Sequence, residues 1–327
     1  MRTQTPKTIR WGIIGLGKIA TKFATDLATI PDAELYAVAS RSQESADSFA
    51  EKFNATKAYN SYESLAKDPN VDAVYIATPH SFHKAHSILC LEHKKAVLCE
   101  KPFAMNLEEV ETMIATAKVN NVLLMEALWT YFLPHYQYIL KILNDNTFGK
   151  ILKLEADFGF TRPFDDDSRL FNKELGGGSL LDIGIYPIFA ALSTLGLPDA
   201  IKASCTTFNN GADSSCDMIF RYNNGATASL KSTLVENTPT TCTFYCENAT
   251  IKLNRQFHTP TSITITKDGK EETIDFTGNT IGYNFETLHF NQLLRDGKTE
   301  SDIMSFDFSR NLIKTLDTVR QHIQLEY

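Results

Sequence analysis

A short apolar run, Ile9-Arg10-Trp11-Gly12-Ile13-Ile14, passes directly into Gly15-Leu16-Gly17-Lys18-Ile19-Ala20, and a helical pattern follows from about Ile19 to Ile30. No other feature restricts the fold as tightly. G-x-G-x-x-A alone occurs by chance in many chains, but between a buried strand and a helix it is the phosphate turn of a dinucleotide-binding unit. Gly15 permits the tight turn, Gly17 lets the backbone approach a pyrophosphate, and Ala20 lets the helix lie close to the strand. The helix N-terminus then faces the phosphates, with Leu16, Lys18 and Ile19 completing the turn.

The alternation of strand and helix patterns continues through a strand at Ala33–Ala39, a helix at Gln43–Phe53, a short strand near Lys57–Tyr59 and a helix near Tyr62–Lys67. A strand at Val71–Ala77, a helix reaching Glu92, the strand ending in Glu100-Lys101-Pro102, a helix at Leu107–Val119 and a strand at Val122–Glu126 complete it. This order predicts an α/β unit over 1–127, a doubly wound Rossmann sheet of about six parallel strands. After Ala127 the alternation stops. An aromatic-rich helix between Trp129 and Asn146, a strand at Lys150–Phe160 and a helix from Gly178 or Ser179 to about Leu195 come next. Strand patterns punctuated by Asn209-Asn210-Gly211, Asn223-Asn224-Gly225 and Lys267-Asp268-Gly269 follow, and helices at about Tyr283–Arg295 and Ser305–His322 close the chain. Residues 128–327 are expected to form an α+β unit with a largely antiparallel sheet.

The second strand ends in Ser40-Arg41-Ser42. NAD sites carry an acid here to bind the ribose 2′-hydroxyl; Asp32 and Glu34 stand at the wrong end of the strand. A hydroxyl and a guanidinium suit a 2′-phosphate, so NADP is favoured over NAD. Read alone, Arg41 also suits the cap of a surface turn.

A lysine at the carboxyl end of a buried strand is poorly placed for structure alone, because its ammonium is expensive to bury unpaired. Pro102 biases Lys101 toward extended backbone at the edge where open α/β sheets bind ligands. The same edge holds Thr78-Pro79-His80-Ser81-Phe82-His83. His83 is a candidate to touch nicotinamide or substrate; alternatively His80 caps the next helix and His83 is exposed in its first turn. In the second half, Gly176-Gly177-Gly178-Ser179 leads into a helix on which Asp182 and Tyr186 share one otherwise apolar face, so both side chains need partners. Trp129, Phe158, Phe160, Arg162 and Arg169 are candidate walls of a substrate pocket, or plain packing.

The chain of 327 residues carries a net charge of −7 and a pI of about 5.7 with no long basic stretch, which argues against nucleic acid. The N-terminus, Met1–Lys7, is short and polar, and no run of ~18 apolar residues suggests a membrane span or signal peptide. Cys90, Cys99, Cys205, Cys216, Cys242 and Cys246 lack zinc spacing, so no metal is expected and a reducing cytoplasm is.

Together the motifs Gly15-x-Gly17-x-x-Ala20, Ala77-Thr78-Pro79-x-x-x-His83, Glu100-Lys101-Pro102 and Gly-Gly-Gly…Asp182-x-Gly184-x-Tyr186 resemble the glucose–fructose oxidoreductase/inositol dehydrogenase (Gfo/Idh/MocA) family along the whole chain. Many relatives carry His where this chain has Tyr186; dimeric dihydrodiol dehydrogenases, which resemble NADP-dependent xylose dehydrogenases, have Tyr. Met125-Glu126-Ala127-Leu128-Trp129-Thr130-x-Phe132-x-Pro134 and Arg169-Leu170-Phe171-Asn172 also look like that group, whereas Tyr131 departs from its usual Arg. The resemblance implies an NADP-dependent oxidoreductase acting on a secondary alcohol of a sugar or trans-dihydrodiol. It implies a homodimer through the exposed face of the C-terminal sheet. It implies catalysis by Lys101 and Tyr186 with Asp182 alongside. The cofactor contacts would come from Gly15–Ile19, Ser40, Arg41, Thr78, Pro79, His80, His83, Glu100, Lys101 and Trp129. Substrate contacts would come from Lys101, Asp182, Tyr186, Phe158, Arg162 and Arg169. In this scheme Tyr186 moves the proton, helped by the Lys101 ammonium, which favours phenolate; Lys101 as acid/base with Tyr186 positioning is the alternative. An NAD-dependent inositol or sugar dehydrogenase predicts an acid where Ser40-Arg41 stands. A non-catalytic NAD(P)-sensing regulator predicts loss of Lys101 or Tyr186.

Overall fold

The computed structural model describes residues 7–327; of the polar N-terminal stretch, Met1–Pro6 lie outside them. The chain divides into two compact units. The first comprises Met1–Ala104, Glu108–Trp129 and Thr280–Ser309; the second comprises Met105–Leu107, Thr130–Asn279 and Arg310–Tyr327.

In the first unit β1 (Ile9–Ile14), α1 (Lys18–Leu27), β2 (Ala33–Ala39), α2 (Gln43–Phe53), β3 (Lys57–Tyr59) and α3 (Tyr62–Lys67) form one wing. β4 (Ala73–Ile76), α4 (His83–Glu92), β5 (Ala96–Glu100), α5 (Leu107–Asn120) and β6 (Leu124–Ala127) form the other. The strands pair in parallel in the order β3-β2-β1-β4-β5-β6. The chain therefore reverses its direction of travel between β1 and β4, which is where a doubly wound sheet opens its ligand crevice. β4 and β5 are buried along their whole length, as expected of central strands covered on both faces.

The second unit holds α6 (Pro134–Asn144), β7 (Ile151–Gly159) and α7 (Ile185–Leu195). Its sheet continues with β8 (Ala200–Thr207), β9 (Asp213–Arg221), β10 (Thr227–Thr233), β11 (Cys242–Cys246), β12 (Thr250–Leu253), β13 (Ile263–Lys267) and β14 (Lys270–Ile274). The eight strands run β14-β13-β12-β11-β7-β10-β9-β8, antiparallel except for the β7/β10 pair. Asp268 and Gly269 both adopt positive φ, 51° and 74°, making the tight β13–β14 hairpin that Lys267-Asp268-Gly269 predicts. The helical stretch Lys173–Leu195 has the length and apolarity of a membrane span but is 94% buried within this unit.

Three features differ from the sequence reading. The expected single helix from 178 to 195 is a π-helical turn at Leu180–Gly184 followed by α7. The aromatic stretch after Ala127 is a 3-10 turn at Trp129–Phe132 before α6, because Pro134 starts a new helix. Helix α8 (Tyr283–Arg295) groups with the first unit, although the division at 127 placed it in the second; the final helix is α9 (Phe306–Ile323). Asp26, buried on α1, explains the return of α8. Its carboxylate accepts from the backbone N–H groups of Ile281, Gly282 and Tyr283 at 2.9, 2.7 and 2.8 Å, satisfying amides at the start of α8 and meeting the positive end of that helix. Trp11 on β1 then packs on Phe290, ring centroids 5.2 Å apart, and donates its indole N–H to Asn291 Oδ1 at 3.1 Å.

Candidate active site

The phosphate turn of the first unit is built for close approach. Gly15 has φ +90°, and a Cβ there would lie 2.7 Å from the Ala77 carbonyl carbon and 2.8 Å from Thr78 N. Gly17, the N-cap of α1, has open space where its Cβ would stand, and its helix carries neither a side-chain cap nor an acid in its first turn. The free amides and positive end of α1 thus face a cradle sized by glycine, which fits a dinucleotide pyrophosphate. Leu16 and Ile19 are partly covered, and Lys18 is exposed beside the turn.

At the end of β2, Arg41 is exposed, and Ser42, not Arg41, caps α2 by accepting from Ser45 N. The guanidinium is therefore free of the capping duty that a surface-turn role would give it. Its charge reaches His86 on α4, whose pKa burial pushes down first and Arg41 second. His86 stands 4.6 Å from the Tyr62 ring and stacks at 5.7 Å on Phe82, and its Nδ1 is 3.1 Å from Thr78 Oγ1. A guanidinium beside two aromatic faces suits an adenosine 2′-phosphate.

His80 and His83 take neither of the places expected for them as helix cap and exposed first-turn residue. Both are buried, and α4 has no side-chain cap. His83 Nδ1 lies 2.8 Å from the Pro102 carbonyl oxygen and Nε2 2.9 Å from that of Thr78. Its ring braces the β4 loop against the Lys101-Pro102 segment, whose peptide bond is cis.

Lys101 is half-buried at the end of β5, near the buried carboxyls of Glu100 and Glu126, in the same unit as Glu286, which no motif disclosed. Glu100 accepts from the Tyr75 hydroxyl and, at 3.2 Å, from the Lys101 amide. Glu126, on β6, accepts from Phe103 N at 3.0 Å and Ser309 Oγ at 2.7 Å. Glu286, on α8, is wholly buried with no hydrogen-bond partner for either oxygen among the described residues. Burial, and secondarily the Glu100 carboxylate, push it well above the usual carboxyl range. One turn earlier on α8, Tyr283 stacks on Trp129 with centroids 4.5 Å apart and planes at 11°. Glu100 and Trp129, expected to touch cofactor, are thus both engaged by partners within the unit.

Burial raises Glu126 from 4.5 to about 7 against the opposing pull of its hydrogen bonds and Lys101. The folded protein then holds a proton that the unfolded chain has lost, so stability present below pH 4.5 is lost as pH rises toward about 7. The size is roughly 3 kcal/mol at most. Glu126→Gln keeps an acceptor for Phe103 N and has no charge to desolvate. Thermal melts at about pH 5 and about pH 8 should show a smaller loss for the variant than for the wild type. Equal pH dependence of the two proteins would contradict this.

In the second unit the π turn carries Asp182, and Tyr186 follows in the first turn of α7; π turns recur at functional sites because they re-aim side chains. Asp182 pairs with Arg169, Nη1 to Oδ1 at 3.3 Å. Tyr186 is buried with its ring 5.6 Å from Phe158 and 5.0 Å from His258. Arg162 is exposed, its guanidinium 5.7 Å above the Phe160 ring. The turn is anchored by Asp213, fully buried on β9, which accepts from Ser179 Oγ at 2.7 Å, Leu180 N at 2.6 Å and the Tyr327 hydroxyl at 3.3 Å. Gly178, at φ 122°, faces that carboxylate where no Cβ would fit. The Phe257-His258 segment is pinned in turn, as Thr130 Oγ1 donates to the His258 carbonyl at 2.9 Å and His135 Nε2 lies 2.9 Å from that of Phe257. Asp182, Tyr186, Phe158 and Arg169 are residues the sequence singled out, whereas their neighbours His258 and Asp213 carry no local motif.

A glycine cradle at a helix N-terminus, an arginine after β2 and a lysine after β5 define a dinucleotide-dependent oxidoreductase. Residues 9–128 match the family model of the oxidoreductase family with NAD-binding Rossmann fold, and 136–252 match the GFO/IDH/MocA C-terminal domain. Trans-1,2-dihydrobenzene-1,2-diol dehydrogenase of Xenopus tropicalis is 36% identical over 97% of this chain and 99% of its own. The scyllo-inositol 2-dehydrogenase (NADP(+)) IolU of Bacillus subtilis is 34% identical over 98% of each chain. Among solved structures, KijD10, a 3-ketoreductase from Actinomadura kijaniata in complex with NADP and TDP-benzene, superimposes with a TM-score of 0.88 at 25% identity, over 97% of this chain and 98% of its own. The chain belongs to the Gfo/Idh/MocA oxidoreductase family.

Proposed function

We propose that this chain is an NADP-dependent dehydrogenase that interconverts a secondary alcohol of a sugar or trans-dihydrodiol with the corresponding carbonyl. The observation that carries the catalytic reading is the Asp182–Tyr186 pair, two buried polar side chains on a π turn and the helix that follows it, the turn anchored by the buried Asp213 carboxylate. Lys101 and Tyr186 are both present, which favours an enzyme over a non-catalytic nucleotide sensor. Arg41, with no acid at its end of β2, supports NADP over NAD, and the 34% identical inositol dehydrogenase is itself an NADP enzyme by name.

Gly15–Ile19, Arg41 and the Thr78-Pro79 edge would hold the cofactor. When bound, its nicotinamide accepts the hydride from the carbinol carbon. Tyr186, as phenolate, takes the hydroxyl proton as that O–H bond breaks, and returns it in the reductive direction. The Lys101 ammonium would bind a substrate oxygen. Asp182, paired with Arg169 at 3.3 Å, accepts from a second substrate hydroxyl. The reading requires Lys101 and Tyr186 to reach one substrate in the working enzyme.

The open face of the second unit's sheet displays Ile219 and Tyr245 among Glu155, Lys202, Asp217 and Lys231, which supports self-association into a homodimer through that face. Light scattering on the eluting protein reads its mass directly. The six cysteines stand unpaired, which supports a reducing compartment such as cytoplasm.

The test is steady-state oxidation of a sugar and trans-diol panel with NADP+ and with NAD+. Turnover should favour NADP+, and Arg41→Ala should raise the Kd for NADPH about ten- to a hundredfold while moving NADH little. Preference for NAD+ would overturn the cofactor assignment, and tight NADPH binding without any turnover would overturn the catalytic one.

A further inference from the structure

Beside Tyr186 the second unit contains a cavity of about 270 Å³. Phe158 and His258 form its wall toward Tyr186, and their rings stack on each other at 4.3 Å. Phe160, Asn237, Thr238, Thr240, Arg255 and Gln256 continue the lining. Asn237 Oδ1 accepts from Thr161 N at 3.0 Å, which commits the amide oxygen and leaves its NH2 as a donor. Thr238 Oγ1 is buried without a hydrogen-bond partner among the described residues. Arg255 is exposed at the surface of the cavity and is a donor only. No carboxylate lines the cavity among the described residues.

The lining decides the chemistry of that occupant. The one formal charge in the lining is the Arg255 guanidinium, set among amide, hydroxyl and imidazole groups and two aromatic faces, and no carboxylate of the lining answers it. We propose that it receives the carboxylate end of a polyhydroxylated acid, a uronate or aldonate. Arg255 pairs the carboxylate, Asn237 binds an adjacent oxygen, and Phe158 and Phe160 cover the apolar face of the carbon chain. The second guanidinium above Phe160, that of Arg162, adds positive field at the rim. The assignment rests on the dehydrogenase reading for its chemistry, the same hydride and proton transfer at the carbinol next to Tyr186, but not for its binding.

The experiment has a kinetic and a binding arm. With saturating NADP+, D-glucuronate and D-gluconate are compared with D-glucose and sorbitol. Calorimetry then titrates D-gluconate and sorbitol into the NADPH-loaded protein. The acids should be preferred about tenfold or more in kcat/KM, through KM. Arg255→Gln should cut that preference about ten- to a hundredfold and abolish most D-gluconate binding, with Arg255→Lys in between because it keeps charge but loses the fork. Neutral substrates handled as well as the acids, or an acid-to-neutral ratio untouched by Arg255→Gln, would overturn the proposal. Arg255-dependent binding of D-gluconate with no alcohol oxidised would keep the site and sink the dehydrogenase reading. Absence of acid binding, with neutral sugars or diols turned over, would do the reverse.

Discussion

Tyr186→Phe should lower kcat about a thousandfold, within the range that a positioned acid/base contributes. The variant keeps the ring, so the packing against Phe158 and His258 at 5.6 and 5.0 Å persists and thermal stability should stay within about 1 kcal/mol of the wild type. NADPH affinity should not change, because the phosphate turn lies in the other unit. Loss of kcat without loss of KM is the signature of a group needed only as the bond to hydrogen breaks. Lys101→Met supplies the complementary test. Removal of the ammonium takes away the other proposed substrate contact, so kcat/KM for alcohol oxidation should fall. A Tyr186→Phe variant that retains a tenth or more of wild-type kcat, beside an inactive Lys101→Met, would reverse the roles and make Lys101 the proton carrier.

What the sequence disclosed and what it hid differ by the range of the interactions involved. β1, the phosphate turn, α2 and the β13–β14 hairpin are set by local periodicity and by glycines at fixed offsets, so they could be read residue by residue. The membership of α8 could not. It depends on one acid, Asp26, meeting three amides more than 250 positions later, and Asp26 looks like any polar residue near a helix end. The π turn was hidden for the same reason. Asp182 and Tyr186 at four-residue spacing look like an ordinary helical face, and the extra residue is accommodated because Asp213 on β9 captures Ser179 and Leu180. His83 misled in the opposite sense. Its place beside the ligand edge suggested cofactor contact, yet both ring nitrogens lie against the backbone carbonyls that set the Lys101 segment. The carboxyls behind Lys101 are three separate strand and helix residues brought together only by the parallel sheet and the returning α8.

The glycines of the phosphate turn should separate folding from cofactor binding. Gly15→Ala meets two obstacles at once. A φ of +90° is unfavourable for any residue with a Cβ, by about 1 kcal/mol, and the new methyl would stand 2.7 Å from backbone of Ala77. That backbone cannot rotate aside, because Ala77 N donates to the Ile14 carbonyl at 2.8 Å and so ties the ends of β1 and β4 together. The variant should lose roughly 3 kcal/mol or more, with Tm lower by about 10 °C, and should bind NADPH poorly as a consequence. Gly17→Ala is different. Its backbone, at φ −88° and ψ −165°, is extended, and nothing lies within 4 Å of the added Cβ. The protein itself has no objection to that methyl, so Tm without ligand should match the wild type. A pyrophosphate drawn to the α1 amides would object, because the methyl occupies its approach, and NADPH affinity should fall about a hundredfold. Calorimetric titration of NADPH into the two variants, beside their thermal melts, reads both effects. Wild-type affinity in Gly17→Ala would show that the open space above α1 is not the phosphate cradle, whereas a Tm loss equal to that of Gly15→Ala would show that the space is needed by the fold.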